Sequence, residues 1–358
     1  MFGHFRRGPA AALVVTLVVG LAGLLASAGP AGSSVRQRDP SGTLTLGYFD
    51  NVTHAPALVG LQGGLFASAL GPNVQLKTQI FNAGPAEVQA ILTGSIDAGY
   101  IGPNPTVTAF EQSHGAVTVI SGAASGGAFL VVKPDINSVK DLKGKTVASP
   151  QLGNTQDVAL RAYLKKNGLK TDTAGGGDVS IRPQDNAVTL QAFQQSLIQG
   201  AWVPEPWATR LVKEGGGKIL VDERTLWPKG RYVTTDLIVR TDYLRSHPDI
   251  VQRLLEGQVA AVDLITKDSA RAQQLVAQRI QTDAGKPLAA SLIAASFADI
   301  VFTNDPIASS LVASAKTAVD LHLPGAVLIK NSDLSRLYSL KLLNTVLAAK
   351  HEPTVSAF

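Results

Sequence analysis

The stretch that best indicates the fold reads Asp97-Ala-Gly-Tyr-Ile-Gly-Pro-Asn-Pro-Thr106. Residues 97–101 predict a short buried strand, since they are mainly apolar and end at a glycine. Asn104 is a candidate helix cap, and Pro105 suits the first helical position. A helix is therefore predicted to begin as soon as the strand ends, which is typical of α/β proteins.

Two further junctions of this kind occur in the chain. After the first predicted strand, Thr53 or His54 is the candidate cap of the following helix. After the strand at 145–148, Asn154 is the candidate cap, and Asp157 has the spacing of a capping box. The same local pattern thus appears three times, each time with a polar side chain at the helix start.

These junctions predict a binding site for an anion. In open α/β sheets, ligands bind at the carboxyl ends of the strands, where helices begin. Helix N-termini present free N–H groups and partial positive charge, which suit an anion without an arginine. Taken singly, each junction is equally explained by ordinary helix capping.

A glycine pair lies between two apolar segments at Ser125-Gly126-Gly127. It predicts either a tight turn or a close backbone approach to an oxyanion, because glycine has no side chain to prevent contact. Ser125 and Gly126 are therefore included among the candidate ligand contacts.

The segment Trp202-Val-Pro-Glu-Pro-Trp207 is stiff, because prolines flank Glu205 on both sides. We expect one tryptophan to pack in the core and the other to form a wall of the site. If Glu205 lies in or beside the cleft, it should favour a ligand with a cationic end over a plain anion, since a carboxylate attracts an ammonium group.

Apolar periodicity predicts strands alternating with helices, and hence largely parallel sheets flanked by helices. The predicted strands are 43–49, 74–81, 97–101, 117–120, 129–132, 145–148, 179–181, 218–221 and 237–239. Helical spacing appears between most of them, including 57–66, 86–92, 158–166, 190–198 and 208–213. From Ser246 to Leu347 the pattern is mostly helical, with breaks at 285–287, 304–306 and 324–325.

The N-terminal residues predict export. Arg6 and Arg7 precede an apolar run that ends in Ala26-Ser27-Ala28, the pattern of a cleaved secretory signal. We expect residues 1–28 to be a signal peptide and 29–42 a tether; an uncleaved membrane anchor is the alternative. The protein is then expected in the periplasm or on the outer face of the cell membrane.

Composition argues against several other functions. The chain has no cysteine, which excludes thiolate metal sites, cysteine nucleophiles and a lipid-modified cysteine. The six histidines show no metal-binding spacing, so no metal and no cofactor are expected. The formal charge of +5 is mild, and no basic block with aromatic residues appears, so nucleic acid is not an expected partner.

Together these residues resemble the aliphatic-sulfonate, taurine and nitrate family of periplasmic solute-binding proteins from ABC importers. The resemblance runs from Leu44 to about Ile265 and is weaker beyond. The matching stretches are Thr53–Leu58, Tyr100–Pro105, Ser125–Gly127, Asp141–Lys145, Pro150–Asp157 and Trp202–Trp207.

The resemblance implies an α/β, two-lobed periplasmic-binding-protein fold with two crossover segments. One lobe is expected at 43–132 and 236–340, the other at 133–235, with a C-terminal tail at 341–358. The crossovers are expected near Lys133–Asp135 and Tyr232–Thr235. The implied ligand contacts are Thr53, His54, Asn104, Ser125, Asn154, Thr155, Trp202 and Glu205.

The implied function is capture of a small oxyanion by a monomer and its delivery to a membrane permease. A sulfonate is favoured over nitrate, because nitrate does not need a wall of two tryptophans. Taurine, nitrate, a pyrimidine or a flavin remains an alternative. An enzyme of the same fold, which forms a pyrimidine in thiamine synthesis, uses a cysteine-rich iron site, so it is disfavoured here by the absence of cysteine.

Secretion tests the expected leader directly. We expect the mature chain to begin at Gly29, because small residues occupy the positions before the cleavage site. N-terminal sequencing of exported protein should read from Gly29. A chain that still begins at Met1 would indicate a membrane anchor.

Overall fold

The computed structural model describes residues 41–323, 326 and 333–358 of the chain, which form both strands and helices. The strands are β1 (Gly42–Tyr48), β2 (Val74–Ile80), β3 (Ala98–Ile101), β4 (Val117–Gly126), β5 (Ala128–Val132), β6 (Thr146–Ser149), β7 (Ser180–Pro183), β8 (Gly200–Pro204), β9 (Lys218–Asp222), β10 (Val233–Arg240) and β11 (Ile300–Phe302).

The helices connect these strands and then dominate the C-terminal part of the chain. They are α1 (Ala55–Gln62), α2 (Leu65–Leu70), α3 (Gly84–Leu92), α4 (Pro103–Gln112), α5 (Thr155–Lys166), α6 (Asn186–Gln194), α7 (Trp207–Lys213), α8 (Thr241–Ser246), α9 (Pro248–Lys267), α10 (Ser269–Ala284), α11 (Ala290–Ala298), α12 (Ala308–Asp320) and α13 (Lys341–Ala349). Among the described residues, none of these helices is long and apolar enough to cross a membrane.

Two sheets define two lobes. The first lobe is built on the strand order β11-β4-β10-β3-β1-β2, and the second on β7-β6-β8-β5-β9. Parallel pairing joins β1 to β2 and β3, and β6 to β7 and β8. The pairs made by β4, β5 and β10 are antiparallel, so the sheets are mixed and not largely parallel. The two-lobed α/β class is confirmed.

Helices cover both faces of each sheet, and β5 shows how the sequence accomplishes this. Its side chains alternate between two cores: Leu130 and Val132 pack toward α5, whereas Phe129 and Val131 pack toward α6 and α7. All four are almost completely buried. A strand buried on both faces is expected to be continuously apolar, as this one is.

The chain crosses between the lobes earlier than expected. β4 belongs to the first sheet and β5 to the second, so the first crossover is at Gly127 and not near Lys133–Asp135. The return crossover is the segment between β9 and β10, residues 223–232. Residues 129–132 therefore belong to the second lobe, and residues 233–235 to the first.

Several element boundaries also differ from the expectation. The predicted helix 57–66 is split, because Gly64 adopts a φ of 69° and begins a second helix. β8 and β11 were not predicted. β8 ends in the proline-containing segment 204–206, and β11 is only three residues long. The predicted leader, most of the predicted tether and the break at 324–325 lie outside the described residues.

The crossover yields a stability prediction for Gly127→Ala. Gly127 has a φ of 71°, and an added Cβ would lie 2.5 Å from Ile300 Cγ1. Gly64 has a similar φ of 69° but open space around it, so Gly64→Ala is the matched control. We expect the control to lose about 1–2 kcal/mol of unfolding free energy and Gly127→Ala to lose clearly more. Equal losses in urea unfolding would contradict a tight crossover.

Candidate functional site

A cavity lies between the two lobes, at the carboxyl ends of their parallel strands. Its volume is about 20 Å³, slightly more than the roughly 10–15 Å³ that one enclosed water requires. The lobes are therefore closed around a small space. The lining residues are Phe49, Asn51, Thr53, His54, Asn82, Gly102, Pro150, Asn154, Thr155, Gln156, Asn186, Pro204 and Thr234.

The wall of the cavity carries amides and hydroxyls and no formal charge. Among the described residues that line it, only His54 is ionisable. Burial lowers the pKa of His54 to about 3, so its ring is neutral at physiological pH. The Phe49 N–H donates to His54 Nδ1 (3.3 Å), and the two rings stack with centroids 4.3 Å apart. An anion here must be held by dipoles.

Two polar atoms in the wall lack a partner. Thr155 Oγ1 and Asn186 Oδ1 are both buried without a hydrogen bond. Buried polar groups are nearly always paired with protein or water, because an unpaired one costs about 1–3 kcal/mol. The Thr155 hydroxyl can donate to an anion, which makes it the strongest indication of an anionic ligand in this cavity. Asn186 Oδ1 can only accept, so its partner must be a water or a donor group on the ligand.

Asn154 occupies the N-cap position of α5, as predicted, but its side chain does not bond to the helix. The predicted capping box with Asp157 is absent. The Asp157 carboxylate accepts instead from Ser149 Oγ (2.7 Å), the Gly153 N–H (3.0 Å) and Arg161 Nε (2.9 Å). The Asn154 amide is thus not used by its own helix and lies in the cavity wall.

The helix starts that follow β1 and β3 in the first lobe lie opposite the start of α5 across the cleft. Thr53 and His54 line the cavity, and His54 occupies the predicted N-cap position of α1, although its side chain makes no capping hydrogen bond. Gly102 is the N-cap residue of α4, and a Cβ at this position would lie 2.4 Å from Thr155 Oγ1 of the other lobe. The absence of a side chain at Gly102 therefore permits the lobes to close this far.

Asn104 is placed outside the cavity. It lies inside the first turn of α4, with Pro103 at the first helical position, so its predicted role as the cap is wrong. Its amide donates to the Ser314 carbonyl (3.3 Å) and accepts from Ser314 Oγ (2.7 Å). The side chain joins α4 to α12 and is fully occupied by that contact.

Ser125 and Gly126 connect the two crossover segments and do not line the cavity. Ser125 Oγ accepts from the Tyr232 N–H (3.3 Å), and the Gly126 carbonyl accepts from Thr234 Oγ1 (2.6 Å). The glycine pair thus lies at the crossover between the two sheets and binds the returning chain.

Trp202 fills the core of the second lobe. It is completely buried in β8, contacts Tyr163 edge-on at 5.7 Å, and donates from Nε1 to Glu223 (2.8 Å). One tryptophan therefore packs in the core, as expected. Trp207, at the start of α7, instead donates from Nε1 to Asn51 Oδ1 of the first lobe (2.8 Å).

Glu205 lies between the lobes but does not line the cavity. Its carboxylate accepts from the Thr209 N–H (3.2 Å) and Thr209 Oγ1 (2.9 Å) in the second lobe, and from Ser296 Oγ (3.0 Å) in the first. Burial raises its pKa to about 7, an effect that these hydrogen bonds partly oppose. The side chain points toward these groups.

Several lining residues were not among the sequence candidates. They are Asn51, Asn82, Asn186, Gln156 and Thr234. Asn186 follows β7 at the start of α6, so the same junction rule would have found it. Thr234 lies near the start of β10, where no local pattern indicates a site.

Comparison with known proteins agrees with this geometry. A family model matches residues 37–281. The chain belongs to the NMT1-like family. This confirms the family resemblance inferred above, because its relatives include taurine-binding, sulfonate-binding and nitrate-binding proteins.

Individual relatives of this NMT1-like chain show how far the similarity extends. The taurine-binding periplasmic protein of Escherichia coli is 30% identical over 58% of this chain and 62% of its own length. The chain thus spans less than two thirds of that relative.

Solved structures support the fold. The alkanesulfonate-binding protein SsuA from Xanthomonas axonopodis pv. citri, bound to MOPS, has a TM-score of 0.67 at 22% identity and covers 81% of this chain and 97% of its own. The nitrate-binding protein NrtA from Synechocystis has a TM-score of 0.71 at 16% identity, with 87% and 90% covered.

The buried carboxyl of Glu205 predicts a pH dependence of stability in the NMT1-like chain. Its pKa is about 7 in the folded chain and near 4.3 when unfolded. Between these values the folded state keeps a proton that the unfolded state has lost, so stability falls as pH rises through this window. Glu205→Gln should remove up to about 1.4 kcal/mol per pH unit of this slope.

Urea unfolding between pH 4.5 and 7.5 measures the effect. The exposed Glu214→Gln is the control for loss of a carboxylate on the surface. An unchanged slope in Glu205→Gln would show that Glu205 does not bind the proton. Because Glu205 does not line the cavity, the ratio of affinities for ethanesulfonate and taurine should stay the same in this variant.

Proposed function

We propose that this protein is an exported solute-binding protein of an ABC importer, which closes two lobes around a small oxyanion, and that this oxyanion is an aliphatic sulfonate. The observation that carries the proposal is the interlobe cavity, walled by uncharged polar groups, in which the buried Thr155 hydroxyl has no partner and can donate to an anion.

The wall suits an anion although it has no cation. The cavity meets the start of α5, a twelve-residue helix whose first N–H groups lack partners within the helix. These groups and the partial positive charge of the helix N-terminus stabilise an anion. Hydroxyls of Thr53 and Thr155 and the amide of Asn154 can add donors from both lobes.

Support for a sulfonate comes from the relatives and not from the tryptophans. The argument against nitrate from a wall of two tryptophans does not hold, because Trp202 is in the core. A taurine-like ligand is less well supported, since no described carboxylate lines the cavity to receive an ammonium. The small volume, about 20 Å³, favours a compact ion, so nitrate or bicarbonate is the second candidate.

The same proposal covers location and partners. We place the protein outside the cytoplasm, delivered there by residues 1–28, where it acts as a monomer and passes its ligand to a membrane permease. The relatives named above are binding proteins, and we propose that this chain likewise binds its ligand without catalysis.

Calorimetric titration of Asn154→Leu combined with Thr155→Val tests the site. Each charge-assisted hydrogen bond to an oxyanion is worth roughly 1.5–3 kcal/mol, and about 1.4 kcal/mol is one decade of affinity. We therefore expect at least tenfold weaker binding. Thr282→Val is the control, because its exposed hydroxyl bonds only the Gln278 carbonyl of its own helix (2.9 Å).

The ligand panel contains ethanesulfonate, taurine, nitrate, bicarbonate, a pyrimidine and a flavin. Binding of an oxyanion that the double variant weakens and the control does not would support the proposal. Binding of only the pyrimidine or the flavin would contradict it. So would unchanged affinity in the double variant beside a lowered melting temperature, which would leave Asn154 and Thr155 a structural role alone.

A further inference from the structure

Trp207 makes a hydrogen bond across the cleft that fixes the direction of an amide in the cavity wall. Its indole Nε1 donates to Asn51 Oδ1 at 2.8 Å. Trp207 belongs to the second lobe and Asn51 to the first. An indole N–H can only donate, so the oxygen end of the amide must face Trp207 and the NH₂ end must face away from it.

The indole ring is itself held in place. The Arg210 guanidinium lies over it, with Cζ 4.7 Å from the ring centroid. Arg210 is in turn bound through Nε and Nη2 to Glu214. The ring is also half-buried at the first turn of α7. Trp207 is therefore a rigid donor, and the amide must adapt to it.

Asn51 is free to respond, because its local structure does not use its side chain. It follows β1 and occupies the N-cap position of the short 3₁₀ helix Val52–His54. Its side chain makes no capping hydrogen bond there. Its side chain is buried in the cavity wall. In the absence of Trp207, either end of this amide could face the ligand.

We propose that Trp207 is a positioning residue that makes Asn51 present its N–H donors to the ligand. The inference rests on the proposed function and deepens it. Because the bond joins the two lobes, it exists only when they are closed. Closure of the lobes therefore fixes which end of the Asn51 amide faces the ligand. The closed site then selects ligands that accept hydrogen bonds at this point over ligands that donate them.

The pair ethanesulfonate and ethanesulfonamide tests this selection. The sulfonamide replaces one acceptor oxygen by an NH₂ donor and removes the charge. Trp207→Phe keeps an aromatic ring beside Arg210 but has no N–H, so Asn51 can turn its oxygen toward the sulfonamide. We expect the preference for the sulfonate to fall by about tenfold in Trp207→Phe, measured by calorimetric titration of both ligands.

Trp227→Phe is the matched control. Its Nε1 also donates to a side chain, Glu223 (3.3 Å), but Trp227 does not line the cavity. Its preference should equal that of the unmodified protein. Equal weakening of both ligands in Trp207→Phe would overturn the inference and leave Trp207 a packing role.

A double-mutant cycle gives a second measurement. If Trp207 acts through Asn51, then Trp207→Phe should weaken sulfonate binding several-fold in the native background and leave it unchanged in Asn51→Ala. Additive losses would contradict the inference. If the unmodified protein binds no oxyanion, the proposed function fails and this inference with it; if it binds one and the cycle is additive, only the inference fails.

Discussion

The passage of the chain through Gly127 determines how the two lobes face each other. A single residue separates β4 of one sheet from β5 of the other. The Glu205 N–H donates to the Gly127 carbonyl (2.8 Å), and Ser125 and Gly126 hold the return crossover beside it. The outgoing and returning segments are thus bound to one another. Because the lobes meet at this point, the carboxyl ends of their parallel strands can close on each other at the cavity.

Closure brings helix starts and uncharged side chains together around a space that excludes most water. In such a space dipoles interact strongly with an anion, since the local dielectric is far lower than in water. A buried arginine or lysine would need compensation whenever the ligand was absent. A neutral wall avoids this cost, and His54, whose pKa is lowered to about 3 by burial, keeps the wall neutral over the physiological range.

The local sequence predicted the parts of the site that depend on local structure. Thr53, His54 and Asn154 were predicted because a helix begins directly after a strand, whereas Thr155 came only from the family resemblance. Asn104 satisfies the same pattern, yet Ser314, 210 residues further along the chain, takes both ends of its amide. Such a contact is set by how α12 packs, which no pattern near Asn104 records.

The tightness of the cavity has a kinetic consequence. The space between the lobes is about 20 Å³, and Thr155 Oγ1 lies close to where a Cβ of residue 102 would be, so the lobes would have to part for a solute of the proposed kind to enter or leave. Its dissociation rate is then limited by the opening motion, which for hinged domains occurs in microseconds to milliseconds. Contacts that join the lobes, such as Ser296 with Glu205 and Asn51 with Trp207, therefore govern how long any solute remains bound, whatever its chemical identity.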